Sequence, residues 1–357
     1  MIVKKLRQVL TEFAAYLKER EKKRIFTQLR ELVLLWRLDE RFPGYYLRHR
    51  LYSRDIGTDV SGYLPESYLA RFREGINPEE AWETTRNKAL YTSIMQDNHL
   101  PVVPILYLIE ADRTINHAAG RELNFQEFVA ELCQNYSEIF IKPTHGFEGQ
   151  AAQQMSCRDH QLWLRGKPLA ERDFFETLFF LPRYNRFLVQ SVVTQHPLLN
   201  SMNESSVNTV RIDTLVCDDG VIRSSGAFLR VGSGGSWVDN VAAGGFHLKV
   251  DVETGAVAPR GYGHVKFGRQ WMETHPVSGF RFEEVTLPFW GQVAGLIEKG
   301  ARALAPLRYL GWDIAFTAEG PILMEASAIH DLFVLQSAVG GLRYTPVGQA
   351  ALQAINK

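Results

Sequence analysis

Residues 311–327, Gly-Trp-Asp-Ile-Ala-Phe-Thr-Ala-Glu-Gly-Pro-Ile-Leu-Met-Glu-Ala-Ser, restrict the fold more than any other stretch of the chain. They read as two short apolar strands joined at a Gly320-Pro321 turn, with one acid in each strand. Trp312, Ile314 and Phe316 alternate with Asp313, and Leu323 flanks Glu325. If both faces of such a hairpin are covered, neither carboxylate is a solvated surface group, and each needs a partner. A shared divalent cation satisfies both: Mg²⁺ takes one or two carboxylates together with phosphate oxygens. Ser327, two residues past Glu325 on the same strand face, adds a further oxygen. The alternative is a hairpin whose acids point into water. Register decides between them. A turn with Glu319 and Gly320 at its centre pairs Asp313 with Ala326 and puts the acids on opposite faces. A three-residue loop or one bulge sets Asp313 opposite Glu325.

A chain of 357 residues that is 45% apolar and 22% charged has room for two or three packed subdomains. Its formal charge is zero, so the overall field makes no case for a nucleic-acid partner. The charge is uneven, with fourteen Lys and Arg against six Asp and Glu between Met1 and Arg54. Cys133, Cys157 and Cys217 are widely spaced and form no Cys-x-x-Cys or Cys/His cluster, which fits a reducing compartment. No apolar run approaches the roughly 18 residues needed to span a bilayer, and a cytoplasmic location is expected.

In chain order, Leu6, Val9, Leu10, Phe13 and Leu17, then Ile25, Leu29, Leu32, Val33 and Trp36, keep helical spacing, as two helices or one long one. Such a basic amphipathic segment suits an anionic membrane or a protein partner, although most faces of this kind are simply solvated. Residues 41–65 look irregular. Pro78-Glu79-Glu80 opens a helix, and a second begins at Asn87-Lys88 and ends at His99-Leu100-Pro101. Strands are expected over 102–109, 139–142 and 186–193, with helices over 127–133, 173–181 and 289–304. From residue 207 the chain turns strongly β, with a hairpin of 207–216 and 221–231 about an Asp218-Asp219-Gly220 turn. Arg211 and Arg230 sit in that hairpin, where the commoner role of an arginine is to face solvent. The strand ending in Lys142 runs into Gly146 and Gly149, a loop whose backbone N–H groups suit phosphates, though glycine turns after strands are common.

The sequence of features, a lysine opening a helix, a strand lysine before a glycine loop, a strand with a polar end, then Asp and Glu strands, resembles the ATP-grasp superfamily. Lys88 in Asn-Lys-Ala-Leu resembles its first nucleotide lysine, and Lys142 in Ile-Lys-Pro-Thr-His-Gly-Phe-Glu-Gly its second. Gln190 stands where that family's hinge meets adenine, with the Val192 and Val193 backbone beside it. Asp313 and Glu325 match its metal acids, and Arg230 and Asn240 resemble the Arg and Asn set against phosphate and metal. A closer likeness is to the group associated with sugar transfer and surface polysaccharides, through Ser-Val-Asn-Thr-Val-Arg at 206–211, Gly244-Gly245, His275-Pro276 and Gly311 to Ala315. The usual Glu-x-Asn of the last metal motif is here Glu325-Ala326-Ser327.

The resemblance implies an α+β fold in which two subdomains grip ATP. It divides the chain into an N-terminal helical cap (1–77), an N-terminal subdomain (78–135), a small lid subdomain (136–195) and a large subdomain with the metal site (196–357). It implies an ATP- and Mg²⁺-dependent carboxylate–amine ligase working through an acyl-phosphate on small-molecule acids and amines. Lys88, Lys142, Arg211, Arg230 and the acid-bound metal would neutralise charge. A phosphotransferase and a non-catalytic nucleotide binder are the alternatives. His145 and His330-Asp331 are lesser candidates for substrate contact.

Overall fold

The computed structural model describes residues 2–56, 59–111, 113–146, 149–233, 245–263 and 271–355, with side chains from Val9 onward. Asn240 lies outside them. Two antiparallel sheets dominate. The first has eight strands in the order β3-β2-β1-β8-β4-β5-β6-β7. These are β1 (Tyr107–Glu110), β2 (Arg113–Asn116), β3 (Arg121–Leu123), β4 (Glu138–Pro143), β5 (Gln153–Arg158), β6 (Gln161–Leu164), β7 (Lys167–Pro168) and β8 (Arg186–Ser191). The second has seven, ordered β13-β12-β11-β10-β9-β14-β15. They are β9 (Thr209–Val216), β10 (Ile222–Val231), β11 (Phe246–Val250), β12 (Val257–Gly263), β13 (Trp271–Met272), β14 (Tyr309–Phe316) and β15 (Pro321–Ser327). Mixed helices on antiparallel sheets make this an α+β fold.

Each sheet buries one face under helices. The helices Phe125–Asn135 and Glu171–Phe179 cover the first, meeting Ile139, Ile141, Phe187 and Val189 through Phe128 and Phe174. Asn124 starts the earlier helix with a capping box, its side chain accepting from the Glu127 N–H while Glu127 reaches back. Under the second sheet, Val293–Ala303 and Lys88–Asp97 pack on Ile212, Leu229, Trp312 and Ile314. Gly300 lets helix and sheet approach closely, since a Cβ there would lie 2.9 Å from the Trp312 ring. The opposite face is also covered, by a cluster that includes Leu69, Leu332 and Leu335, so every residue of β14 is buried.

Several element boundaries differ from the periodicity. The strand expected at 102–109 shrinks to Tyr107–Glu110, because Pro101 and Pro104 lack the N–H that a ladder needs. Residues 101–106 instead run from one sheet to the other. Leu323 N–H donates to Pro101 O at 2.9 Å, and Leu106 N–H donates to Val189 O at 2.8 Å. The expected division at 135/136 falls inside the first sheet, whose β1 pairs with β8, which in turn pairs with β4. The Pro78 helix is broken into a 3-10 turn, Glu79–Ala81, and the short helix Glu83–Arg86. At the N-terminus there are two helices, Ile2–Lys18 and Ile25–Asp39. Residues 41–65 are less irregular than their composition suggests, since Tyr45, Tyr46, Leu51, Tyr52 and Tyr63 build a small core with Leu35.

Asn77 ties the N-terminal part to the second sheet. Its buried amide donates to Tyr309 O at 2.7 Å and Ala328 O at 3.2 Å, and accepts from the N–H groups of Arg308 and Tyr309. Asn77→Ala would leave four backbone groups without partners. We expect it to cost about 3 kcal/mol in urea unfolding, above the loss of one ordinary hydrogen bond; a change below about 1 kcal/mol would show that water replaces the amide.

Candidate functional site

The β14–β15 ladder contains the extra residue that a same-face acid pair requires. Trp312 faces Ala326 and Asp313 faces Glu325, but Ile314 faces Leu323, which leaves Met324 bulged between them. Four residues, 317–320, separate the last pair, Phe316 and Pro321. Without the bulge, Met324 would stand opposite Asp313. Ser327 faces Gly311, two positions along, and so shares the face of the acids.

Asp313 is held from the neighbouring strands. Arg211 on β9 lies directly across from it, with Nε 2.5 Å from Oδ1. Arg230 on β10 brings Nη2 to 2.7 Å from Oδ2 and is itself steadied by Nε and Nη2 donation to Thr209 Oγ1 at 3.1 and 2.7 Å. Burial pushes the Asp313 carboxyl up, but the two guanidiniums outweigh it and bring it down to about 2. Burial likewise works against the charge on Arg211, and Asp313 overcomes it, so Arg211 stays cationic. Both partners are therefore charged throughout the neutral range.

Two lysines approach from the other side. Asn87 caps the helix Lys88–Asp97 by accepting from the Ala89 and Leu90 N–H groups, which places Lys88 at its first position. Lys88 Nζ donates to Gly146 O at 2.8 Å and lies 3.8 Å from Glu325 Oε1. Lys142 sits at the end of β4 beside Pro143, where burial pushes its amine down to about 8; Glu325 opposes that shift and Lys88 adds to it.

A cavity of about 570 Å³ between the sheets collects ten of the thirteen expected site residues. They are Lys88, Lys142, Gly146, Gly149, Gln190, Val192, Val193, Arg230, Asp313 and Glu325. Of the others, Arg211 stands behind Asp313, Asn240 is outside the described residues, and Ser327 opens with Glu325 onto a smaller adjoining cavity. The Ser327 hydroxyl accepts from the Ile329 N–H at 3.3 Å. The Gln190 amide is directed at the crossing segment, donating to Val103 O at 2.6 Å. His145 is bound to Glu83 at 2.8 Å and fastens the glycine loop to the helix Glu83–Arg86. His330 is buried, with Nε2 2.5 Å from Asp213 and Nδ1 on Ser327 O, so it supports the strand rather than facing the cavity. Asp331 caps the helix Leu332–Val339.

Thr209, Asn200, Glu204 and Ser206 complete the cavity wall together with Glu138 and Gln154. Ser206 and Thr209 fall within the Ser-Val-Asn-Thr-Val-Arg motif, whereas no local pattern marks Asn200, Glu204, Glu138 and Gln154. Among the described residues no group of three acidic, His or Cys side chains gathers. Two carboxylates side by side nevertheless suit Mg²⁺, whose remaining positions go to phosphate and water oxygens.

The two sheets and the charged cavity between them define an ATP-grasp fold. The sequence profile described as sugar-transfer associated ATP-grasp matches residues 67–344, and the chain belongs to that family. No curated protein matches the chain. Among solved structures, D-cycloserine synthetase DcsG is similar at 16% identity and TM-score 0.45, over 81% of this chain and 79% of that one. The D-alanine-D-alanine ligase from Coxiella burnetii is similar at 9% identity and TM-score 0.44, over 82% and 68%. The ATP-grasp ligase PsnB, solved with a minimal precursor, Mg and ADP, is similar at 13% identity and TM-score 0.40, over 79% of this chain and 61% of that one. The matched region thus spans less than two thirds of the PsnB chain.

The lowered Lys142 amine gives a test of the cavity as a phosphate site. Polyphosphate favours the protonated amine, so Mg-ATP affinity should be highest below pH 8 and fall as pH rises through it, by up to about tenfold per unit. Displacement of a fluorescent nucleotide measures this. Lys142→Arg should flatten the profile, and a flat wild-type profile would remove Lys142 from the site.

Proposed function

We propose that this protein is an ATP- and Mg²⁺-dependent ligase that joins a carboxylate to an amine through an acyl-phosphate. The observation that carries this reading is the convergence of Lys88, Lys142, Arg230, Asp313 and Glu325 on one end of a cavity large enough for a nucleotide. Phosphoryl transfer asks a protein for position and charge neutralisation more than for covalent help. Bound Mg²⁺ supplies further neutralisation of the phosphates, and Asp313 and Glu325 are the residues that would hold it. Lys142 sets a cation against phosphate oxygens from the first sheet, and Lys88 sets another from the helix beneath the second. Arg230, fixed by Thr209 and Asp313, offers a preorganised cation from the second. Arg211 keeps Asp313 ionised and in place. Pro143, Gly146, Gly149 and Gln150 line the cavity, on a loop fastened by His145–Glu83 and by Lys88–Gly146, and limit water, which would hydrolyse an acyl-phosphate. The adenine end falls to Gln190, Val192 and Val193.

The family description and the sequence motifs favour a role in surface-polysaccharide or natural-product synthesis. We propose that an amino acid is joined there to a sugar or another small metabolite, with a cytoplasmic location as part of the same proposal. Ser327, standing where the resemblance expects an Asn, favours one competing reading, a nucleotide-binding protein without turnover.

The ligase reading requires ADP and phosphate release that depends on both a carboxylate and an amine. AMP as product, or Mg-ATP binding in calorimetry without turnover across pooled acids and amines, would overturn it; a stable phosphorylated product without an amine would make it a phosphotransferase. Glu325→Gln is the cleaner variant, since Glu325 is partly exposed and its nearest cation is 3.8 Å away. It should lower turnover by about 10²–10³-fold with little change in melting. Asp313→Asn should abolish turnover too, but it strips two guanidiniums of their anion and should also cost about 3 kcal/mol of stability.

A further inference from the structure

The helix Ile25–Asp39 is built inside out. Its buried stripe is Gln28, Glu31, Leu35 and Asp39, while Phe26, Leu29, Val33, Leu34, Trp36 and Leu38 are exposed. An ordinary surface helix has the opposite arrangement. The inward groups cannot be exchanged for the outward ones by rotation, because they are committed. Glu31 binds Lys23 at 2.8 Å and accepts from Tyr46 Oη at 2.6 Å. Asp39 pairs with Arg343 at 2.6 Å, and Gln28 donates to Lys23 O at 2.7 Å. The preceding helix, Ile2–Lys18, adds Val9, Leu10, Phe13 and Leu17, also exposed. Twelve of the twenty large apolar side chains exposed among the described residues fall between Val9 and Phe42, which makes this a surface built to be covered.

Charge selects the cover. Between Val9 and Phe42 the exposed charged groups are Lys18, Arg20, Arg24, Arg30, Arg37 and Arg41 against only Glu21 and Glu40. A second copy of this chain would bring the same six cations against these six, which disfavours self-association through the face. Neither helix is long and apolar enough to cross a membrane, so the pair would lie along one. Aromatic and aliphatic side chains interleaved with arginines match the boundary between anionic headgroups and acyl chains. We infer that the two N-terminal helices dock this protein in plane on an anionic lipid bilayer, leaving the cavity to the rest of the chain.

Vesicle flotation of the full chain tests this, with phosphatidylcholine alone and with phosphatidylglycerol added. The wild type should float with the anionic vesicles at least tenfold more than with the neutral ones, and lose that binding in high salt. The double variants Phe26→Ser/Trp36→Ser and Arg30→Gln/Arg37→Gln should each reduce flotation about tenfold or more while keeping wild-type melting. Failure to float with either vesicle would overturn the inference, and so would flotation that both variants leave unchanged. A wild-type dimer in analytical ultracentrifugation that the Phe26/Trp36 variant makes monomeric would assign the face to a second copy instead. Purified acidic protein partners competing without any lipid binding would likewise overturn it.

Discussion

The structure around the cavity depends on one buried anion held between two cations. Asp313 lies in a fully covered strand, where an unpaired carboxylate would be costly, and Arg211 and Arg230 approach its two oxygens from the adjacent strands. The pairing fixes the order β10-β9-β14 chemically as well as through backbone hydrogen bonds. It also fixes where the second acid stands. Met324 takes up the bulge, so Glu325 emerges beside Asp313, partly exposed and, among the described residues, without an arginine within ion-pair distance. One carboxylate is thus anchored, and its neighbour is left available.

That asymmetry gives the seam between the sheets its electrostatic character. The second sheet contributes the acids and arginines, and the first contributes Lys142 at the end of β4. Lys88, on the helix that packs beneath the second sheet, reaches across to Gly146 of the loop following β4. Segment 101–106 joins the sheets through hydrogen bonds at both of its ends, and the Gln190 amide fastens its middle. A phosphate chain at this place would meet cations from both sheets. Burial lowers the Lys142 amine more than the nearby Glu325 carboxylate raises it.

The N-terminal helices show how helical periodicity can mislead about which side faces inward. Ile25, Leu29, Leu32, Val33 and Trp36 keep the spacing of a core-facing stripe, yet only Leu32 among them is even partly buried. Gln28, Glu31 and Asp39 carry no such signal. They are inward because Tyr46, Lys23 and Arg343, the last of them 304 residues beyond Asp39, provide hydrogen bonds and charges there. Spacing defines a face, whereas partners distant in the sequence decide whether that face is core or surface.

The chain by itself determined the α+β class, most of the helices and strands, and the residues that converge on the cavity. Apolar alternation, glycine turns and isolated acids in apolar strands are local signals that tertiary structure preserves. Asp313, Glu325 and Lys142 were legible for that reason, whereas Lys88 was singled out only through the resemblance to ATP-grasp proteins. Tertiary structure alone decided the Met324 bulge, the burial of His330 against Asp213, the turning of the Gln190 amide toward Val103 and the extension of the first sheet across residue 135. Each of these depends on which strand lies beside which, and on polar groups finding partners tens to hundreds of residues away. Prolines 101 and 104 stand between the two kinds of information: their missing N–H groups are plain in the sequence, but the crossing between sheets that they permit is visible only once both sheets are in place.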